Sequence, residues 1–123
     1  MKTLISIGAG SFIGGVFRYL LTQIIETKST SILPLGTLTV NVIGSLLIGI
    51  VIGLIDRGSL SHEWRFFLVT GLLGGFTTFS AFSSEMMNLI RAGEILFATT
   101  YVVVSILFSL SATYIGFAIS KSF

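Results

Sequence analysis

The sequence predicts an all-α membrane protein of four transmembrane helices, and three observations predict it. Of 123 residues, 53% are apolar and 10% charged, with a mean hydropathy of +1.01; a soluble domain of this size needs far more charge on its surface. Four apolar runs, at 4–25, 35–55, 64–90 and 95–119, are each about 20 residues long, enough to cross the hydrocarbon core. The connections at 26–34, 56–63 and 91–94 are short, so successive spans run antiparallel in one compact bundle. No linker, charge run or low-complexity tract divides the chain, and residues 1–123 read as a single domain.

Each span carries its own signal. Lys2 before an apolar run mimics a signal peptide, but the run continues to Ile25, contains Arg18 and offers no small-residue cleavage site. It reads as a first transmembrane helix. Pro34 begins the second span, where its missing N–H costs nothing. The third contains GGFTTFSAFSSE, residues 74–85. Glycine lowers helix propensity and β-branched threonine does little to restore it, so this helix is expected to break between Gly74 and Phe79. On the fourth, Tyr101, Ser105, Ser109 and Thr113 recur at i+4, which puts them on one face. Gly10/Gly14, Gly49/Gly53 and Gly71/Gly75 form small-residue pairs that let helix backbones approach closely. With 14 glycines in the chain, a homo-oligomer is the expected way to bury that surface.

Composition also excludes. Cysteine is absent and His62 is the one histidine, which removes disulfides, thiol chemistry, imidazole metal sites and triads. A scattered net charge of +2 does not suit nucleic acid. No phosphate loop or catalytic constellation is present, so no enzyme is expected. With the N-terminus inside, Lys2, Arg57, Arg65 and Lys121 face the cytoplasm, Lys28 and Arg91 face outside, and Arg18 lies in the outer half of the first span. So even a distribution under the positive-inside rule fits either insertion in both orientations with antiparallel self-pairing, or one fixed topology with few charges to count.

Polar side chains at membrane depth are the functional candidates. Asn41 lies in the second span, the third carries Thr77, Thr78, Ser80, Ser83, Ser84 and Glu85, and the fourth carries the hydroxyl stripe. The hydroxyls either bond back to their own helix carbonyls or line a polar, nearly neutral route. Arg18 either snorkels to the interface or supplies positive potential at the mouth of that route. Glu85 is an acceptor for hydroxyls or amides of a facing helix. Phe79 and Phe82, at i, i+3, either pack conventionally or turn their positive ring edges toward a small anion. A break in the third helix frees carbonyls, tolerable only inside protein or along a cavity, and such carbonyls suit a cation.

These residues resemble the small bacterial fluoride channels, the Fluc or CrcB family. GLLGGFTTFSAFSSE is similar to that family's third-span signature, joined by GTLTVN (36–41), an arginine late in the first span and Tyr101 with Ser105 and Ser109 in the fourth. The resemblance runs through all four spans in order. It implies a fluoride-selective channel in the plasma membrane of a bacterium, exporting cytoplasmic fluoride passively through two pores of a dual-topology antiparallel homodimer, or of a heterodimer with a paralogue. Phe79 and Phe82 then resemble the pore phenylalanines, and Asn41 the asparagine that donates to fluoride. Ser80, Tyr101, Ser105 and Ser109 resemble the polar track, Glu85 its flanking acid, and Arg18 the arginine near the vestibule. Gly74 and Thr77 match positions whose backbone carbonyls hold a structural Na⁺ at the dimer axis. Ala81 departs from the pattern, standing where the family usually has threonine, so slower conduction is expected. The alternative weighed is a proton-coupled small multidrug exporter, also a four-helix dual-topology dimer. That class places its glutamate in the first helix, where this chain has Arg18 and no acid before Glu26.

Overall fold

A computed structural model describes all residues, 1–123, and every regular element is helical. α1 (Lys2–Lys28) and α2 (Leu35–Asp56) are the first two spans. The third is assembled from α3 (His62–Arg65), a π-helical stretch (Phe66–Leu73), α4 (Gly74–Phe76) and α5 (Phe79–Arg91); α6 (Ile95–Lys121) is the fourth. All four are long and apolar enough to cross a membrane. The helices run up to a turn past the apolar runs, because ends such as Lys28, Arg91 and Lys121 remain helical where water can satisfy their backbone.

The short connections are built by glycine. α2 and α5 each end with a glycine in the left-handed region, Gly58 at φ 72° and Gly93 at φ 77°. Ser59 N–H donates to Leu54 O and Gly58 N–H to Ile55 O; Glu94 N–H donates to Leu89 O and Gly93 N–H to Ile90 O. Both are Schellman closures, in which a residue without Cβ reverses the chain and satisfies the last carbonyls. Ser61 starts α3 by accepting the Trp64 N–H at 3.4 Å, an N-cap.

The remaining glycines decide which helices meet. α1 lies against the first half of the third span with backbones almost in contact. A Cβ on Gly10 would sit 2.6 Å from Phe67 O, one on Gly71 2.8 Å from Ile7 O, and one on Gly75 2.6 Å from Ser11 O. α2 and α6 mesh in the same way: a Cβ on Gly49 would strike Thr113 O and one on Gly116 would strike Leu46 O. This differs from the expectation that a homo-oligomer buries the glycine surface. The three GxxxG pairs are consumed between helices of one chain, where small residues permit the close approach that stabilises bilayer helices.

The third span breaks at Thr77–Thr78, both extended, at φ −88°, ψ 157° and φ −151°, ψ 118°. Gly74 itself is helical, so the interruption falls on the threonine pair inside the expected window. Only 18 of 123 residues are buried, and large apolar side chains such as Phe12, Phe17, Leu107 and Tyr114 are exposed on the single chain, as suits a bundle whose surroundings are apolar.

Candidate functional site

Where the third span breaks, its two halves, α2 and α6 enclose an open groove of about 720 Å³. Its lining includes Asn41, Gly44 and Ser45 from α2, Leu73, Gly74, Thr77, Thr78, Phe79 and Phe82 from the third span, and Ser105 and Ser109 from α6. No lining side chain is charged. The tertiary structure thus brings Asn41, Phe79, Phe82, Ser105, Ser109, Gly74 and Thr77 to one place, although they lie on three different spans.

The break is held open by hydrogen bonds that replace those of the lost helix. Thr77 stays tied to the first half, its N–H and its hydroxyl both donating to Leu73 O, at 3.0 and 2.9 Å. Thr78 is held from α2. Its N–H donates to Asn41 Oδ1 at 2.8 Å, and its carbonyl accepts from Asn41 Nδ2 at 3.1 Å. The Thr78 hydroxyl then caps α5, accepting the Ala81 N–H at 3.1 Å, and lies 3.3 Å from the exposed Ser80 hydroxyl. Asn41 keeps one N–H uncommitted, since a carboxamide nitrogen carries two.

Past the break, the ring of Phe82 lies between those of Phe79 and Tyr101, with centroids 5.4 and 5.1 Å away and planes tilted by 38° and 42°. Phe79 is 77% exposed in the single chain. Tyr101, 1% exposed, donates its hydroxyl to Glu85 Oε2 at 3.1 Å, and Thr37 donates to Glu85 Oε1 at 2.5 Å. Glu85 is therefore the acceptor expected of it, joining α2, α5 and α6 through both oxygens. Thr37 escaped sequence reasoning; its signal was its place inside GTLTVN, one helical turn before Asn41.

The stripe on α6 divides. Thr113 bonds back to the Ser109 carbonyl at 3.1 Å. The Ser105 hydroxyl, by contrast, is buried at the groove without a partner in the chain, which leaves it free to bond a water or an ion there. Arg18 lies outside the groove, its Nε donating to the Gly75 carbonyl at 3.0 Å. That guanidinium meets the negative end of a half-helix. One carbonyl of the break is thereby satisfied, while that of Thr77 receives no hydrogen bond within the chain. A donor-free carbonyl at membrane depth fits an oxygen-seeking cation.

A broken helix inside a four-span bundle, lining a largely apolar, uncharged groove edged by hydroxyls and one amide, defines a small multi-pass membrane protein. The chain belongs to the CrcB family: the model described as "CrcB-like protein, Camphor Resistance (CrcB)" matches residues 5–117. It is similar to a protein of Flavobacterium psychrophilum named "Fluoride-specific ion channel FluC", 41% identical over 98% of both chains. A protein of the same name from Francisella tularensis subsp. mediasiatica is 46% identical over 94% of this chain and 92% of its own. A third, from Ruminiclostridium cellulolyticum, is 37% identical over 99% and 95%.

Proposed function

We propose that the chain is a fluoride-selective channel that lets fluoride leave the cytoplasm down its electrochemical gradient. The observation that carries this is the groove, which pairs phenylalanine rings with an amide N–H and an unpartnered serine hydroxyl and contains no charged side chain. The names of its relatives give the ion. Hydrogen fluoride enters cells as a neutral weak acid and dissociates inside, where the anion is trapped. A passive path then suffices, because the membrane potential drives anions outward. Conduction needs sites that bind weakly and in sequence; the free Asn41 N–H, the ring edges of Phe79 and Phe82, and the hydroxyls of Ser105 and Ser109 supply such sites. A buried lysine would hold the anion instead of passing it on.

The assembly in this proposal is an antiparallel homodimer with two pores. The groove is open along one side in the single chain, and a second copy supplies the missing wall. Gly74 and Thr77 carbonyls from both copies would hold a structural Na⁺, which neutralises the negative ends of two half-helices meeting at the axis. Arg18 performs that service for Gly75 within its own chain.

Purified protein in liposomes is expected to release fluoride and retain chloride, read with ion-selective electrodes. A folded protein passing neither ion, or both equally, overturns the proposal. Phe82→Ile removes the ring that stacks between Phe79 and Tyr101, and is expected to lower fluoride flux by at least about tenfold, the equivalent of 1.4 kcal/mol. Unchanged flux would remove the ring-edge element.

A further inference from the structure

We infer that Asn41 determines ion specificity as a positioning residue: its carboxamide splints the break in the third span and thereby sets the orientation of the Phe79–Phe82 ring pair. This deepens the fluoride-channel proposal and rests on it.

An extended residue presents its N–H and C=O on the same side, and Thr78, at φ −151° and ψ 118°, is extended. A primary carboxamide presents an acceptor oxygen and an N–H donor side by side on one edge. Asn41 fills both bonds at once, at 2.8 and 3.1 Å, like one rung of an antiparallel ladder. The pairing also fixes which way the amide points, since the Thr78 N–H requires an oxygen opposite it. Without Asn41, the Thr78 N–H and C=O would both lose their partners at membrane depth, where the bilayer cannot replace them. Asn88 lies 47 residues along the chain and no other side chain bonds to Thr78's backbone.

The splint acts on the rings through two short links. Thr78 is the N-cap of α5, its hydroxyl accepting from Ala81 N–H. Phe79 is the first residue of α5 and Phe82 lies one turn in. Rotation of Thr78 therefore turns the start of α5 and both rings with it. Two anions of different radius are told apart by the distance between ring edges and opposing hydroxyls, so a loosened α5 start blurs discrimination and not only rate.

The test is a set of variants at Asn41 measured in two ways. Asn41→Ala is expected to speed deuterium exchange of the Thr78 amide by at least about tenfold, the consequence of losing a buried hydrogen bond. It is also expected to lower the fluoride-to-chloride flux ratio in liposomes by about tenfold or more, and to broaden the ¹⁹F resonance of 4-fluorophenylalanine at position 79. Asn41→Asp keeps the acceptor for Thr78 N–H and loses the donor, and is expected to retain slow exchange at Thr78; it serves alone if the alanine variant does not assemble. Thr78 exchange unchanged in Asn41→Ala, or rapid in a folded Asn41→Asp, overturns the splint. Slower flux at an unchanged ion ratio assigns Asn41 to anion donation alone and overturns its role in specificity. The exchange and ¹⁹F measurements need no fluoride flux, so failure of the channel proposal would show separately, as absence of flux in the parent protein.

Discussion

At the scale of single residues, Glu85 shows what a half-buried carboxylate requires. Both its oxygens accept, from Thr37 and from the Tyr101 phenol, and an acid with half its partners removed keeps the cost of burial without the compensation. Thr37→Val and Tyr101→Phe preserve shape and remove one donor each. Each is expected to destabilise the protein by about 1–3 kcal/mol, visible as a lower midpoint of thermal unfolding in detergent. The pair should cost less than the sum of the singles if the acid takes up a proton once both donors are gone. Ala81 is a second instructive residue. Its side chain is not among those lining the groove, and its part in the site is its backbone N–H, which Thr78 caps. Ala81→Thr is accordingly expected to change fluoride flux by less than about twofold, a difference under 0.5 kcal/mol. A larger gain in the liposome assay would restore the hydroxyl's importance.

At the scale of elements, helix pairing rests on glycine where backbones touch and on a few side-chain hydrogen bonds elsewhere. Gly49→Ala and Gly116→Ala insert a methyl against a facing backbone carbonyl, which cannot yield as a flexible side chain would. Each is expected to cost about 1–3 kcal/mol, as overpacking does, with the loss read from unfolding in denaturing detergent. Gly8→Ala and Gly15→Ala meet nothing within 4 Å, and are expected to be neutral or slightly stabilising through helix propensity. The GxxxG spacing singled out Gly10 and Gly49 over Gly8 and Gly15, but it gave no sign that Gly116 would pack as closely. The third span teaches the same lesson. Its interruption was legible from Gly74, Gly75, Thr77 and Thr78 together. That the glycines pack and the threonines break follows from partners on other spans: Ser11 crowds Gly75, and Asn41 receives Thr78. The π-helical turns before the break had no signature at all.

At the scale of the whole molecule, a chain with so little interior depends on its surroundings. A groove open along one side would flood with lipid in a lone protomer, so the proposed second copy serves conduction as well as stability. If the copies are antiparallel, a cysteine placed at the C-terminus of this cysteine-free chain should be labelled by an impermeant thiol reagent from both sides of the membrane in comparable yield. Labelling from one side only would refute dual topology. If Na⁺ bridges the Thr77 carbonyls, fluoride flux should fall when the protein is purified and reconstituted with N-methylglucamine in place of Na⁺, and Arg18→Gln should deepen that dependence by leaving Gly75 uncompensated as well.

The sequence by itself determined the four spans, their antiparallel order and the break in the third, and it named as site residues seven of the sixteen lining the groove, whereas Ser80, Tyr101, Glu85 and Arg18 lie off it. Those features depend on hydropathy, helix periodicity and residue type, all of which are local. Only the tertiary structure decided that the glycine pairs are spent within the chain, that Arg18 turns to Gly75 instead of the interface, and that Thr37 shares Glu85 with Tyr101. It also decided that Asn41 faces a broken backbone. These are contacts between residues about 16 to 70 positions apart, and a hydrogen bond or a close approach between distant positions leaves no periodic trace along the chain.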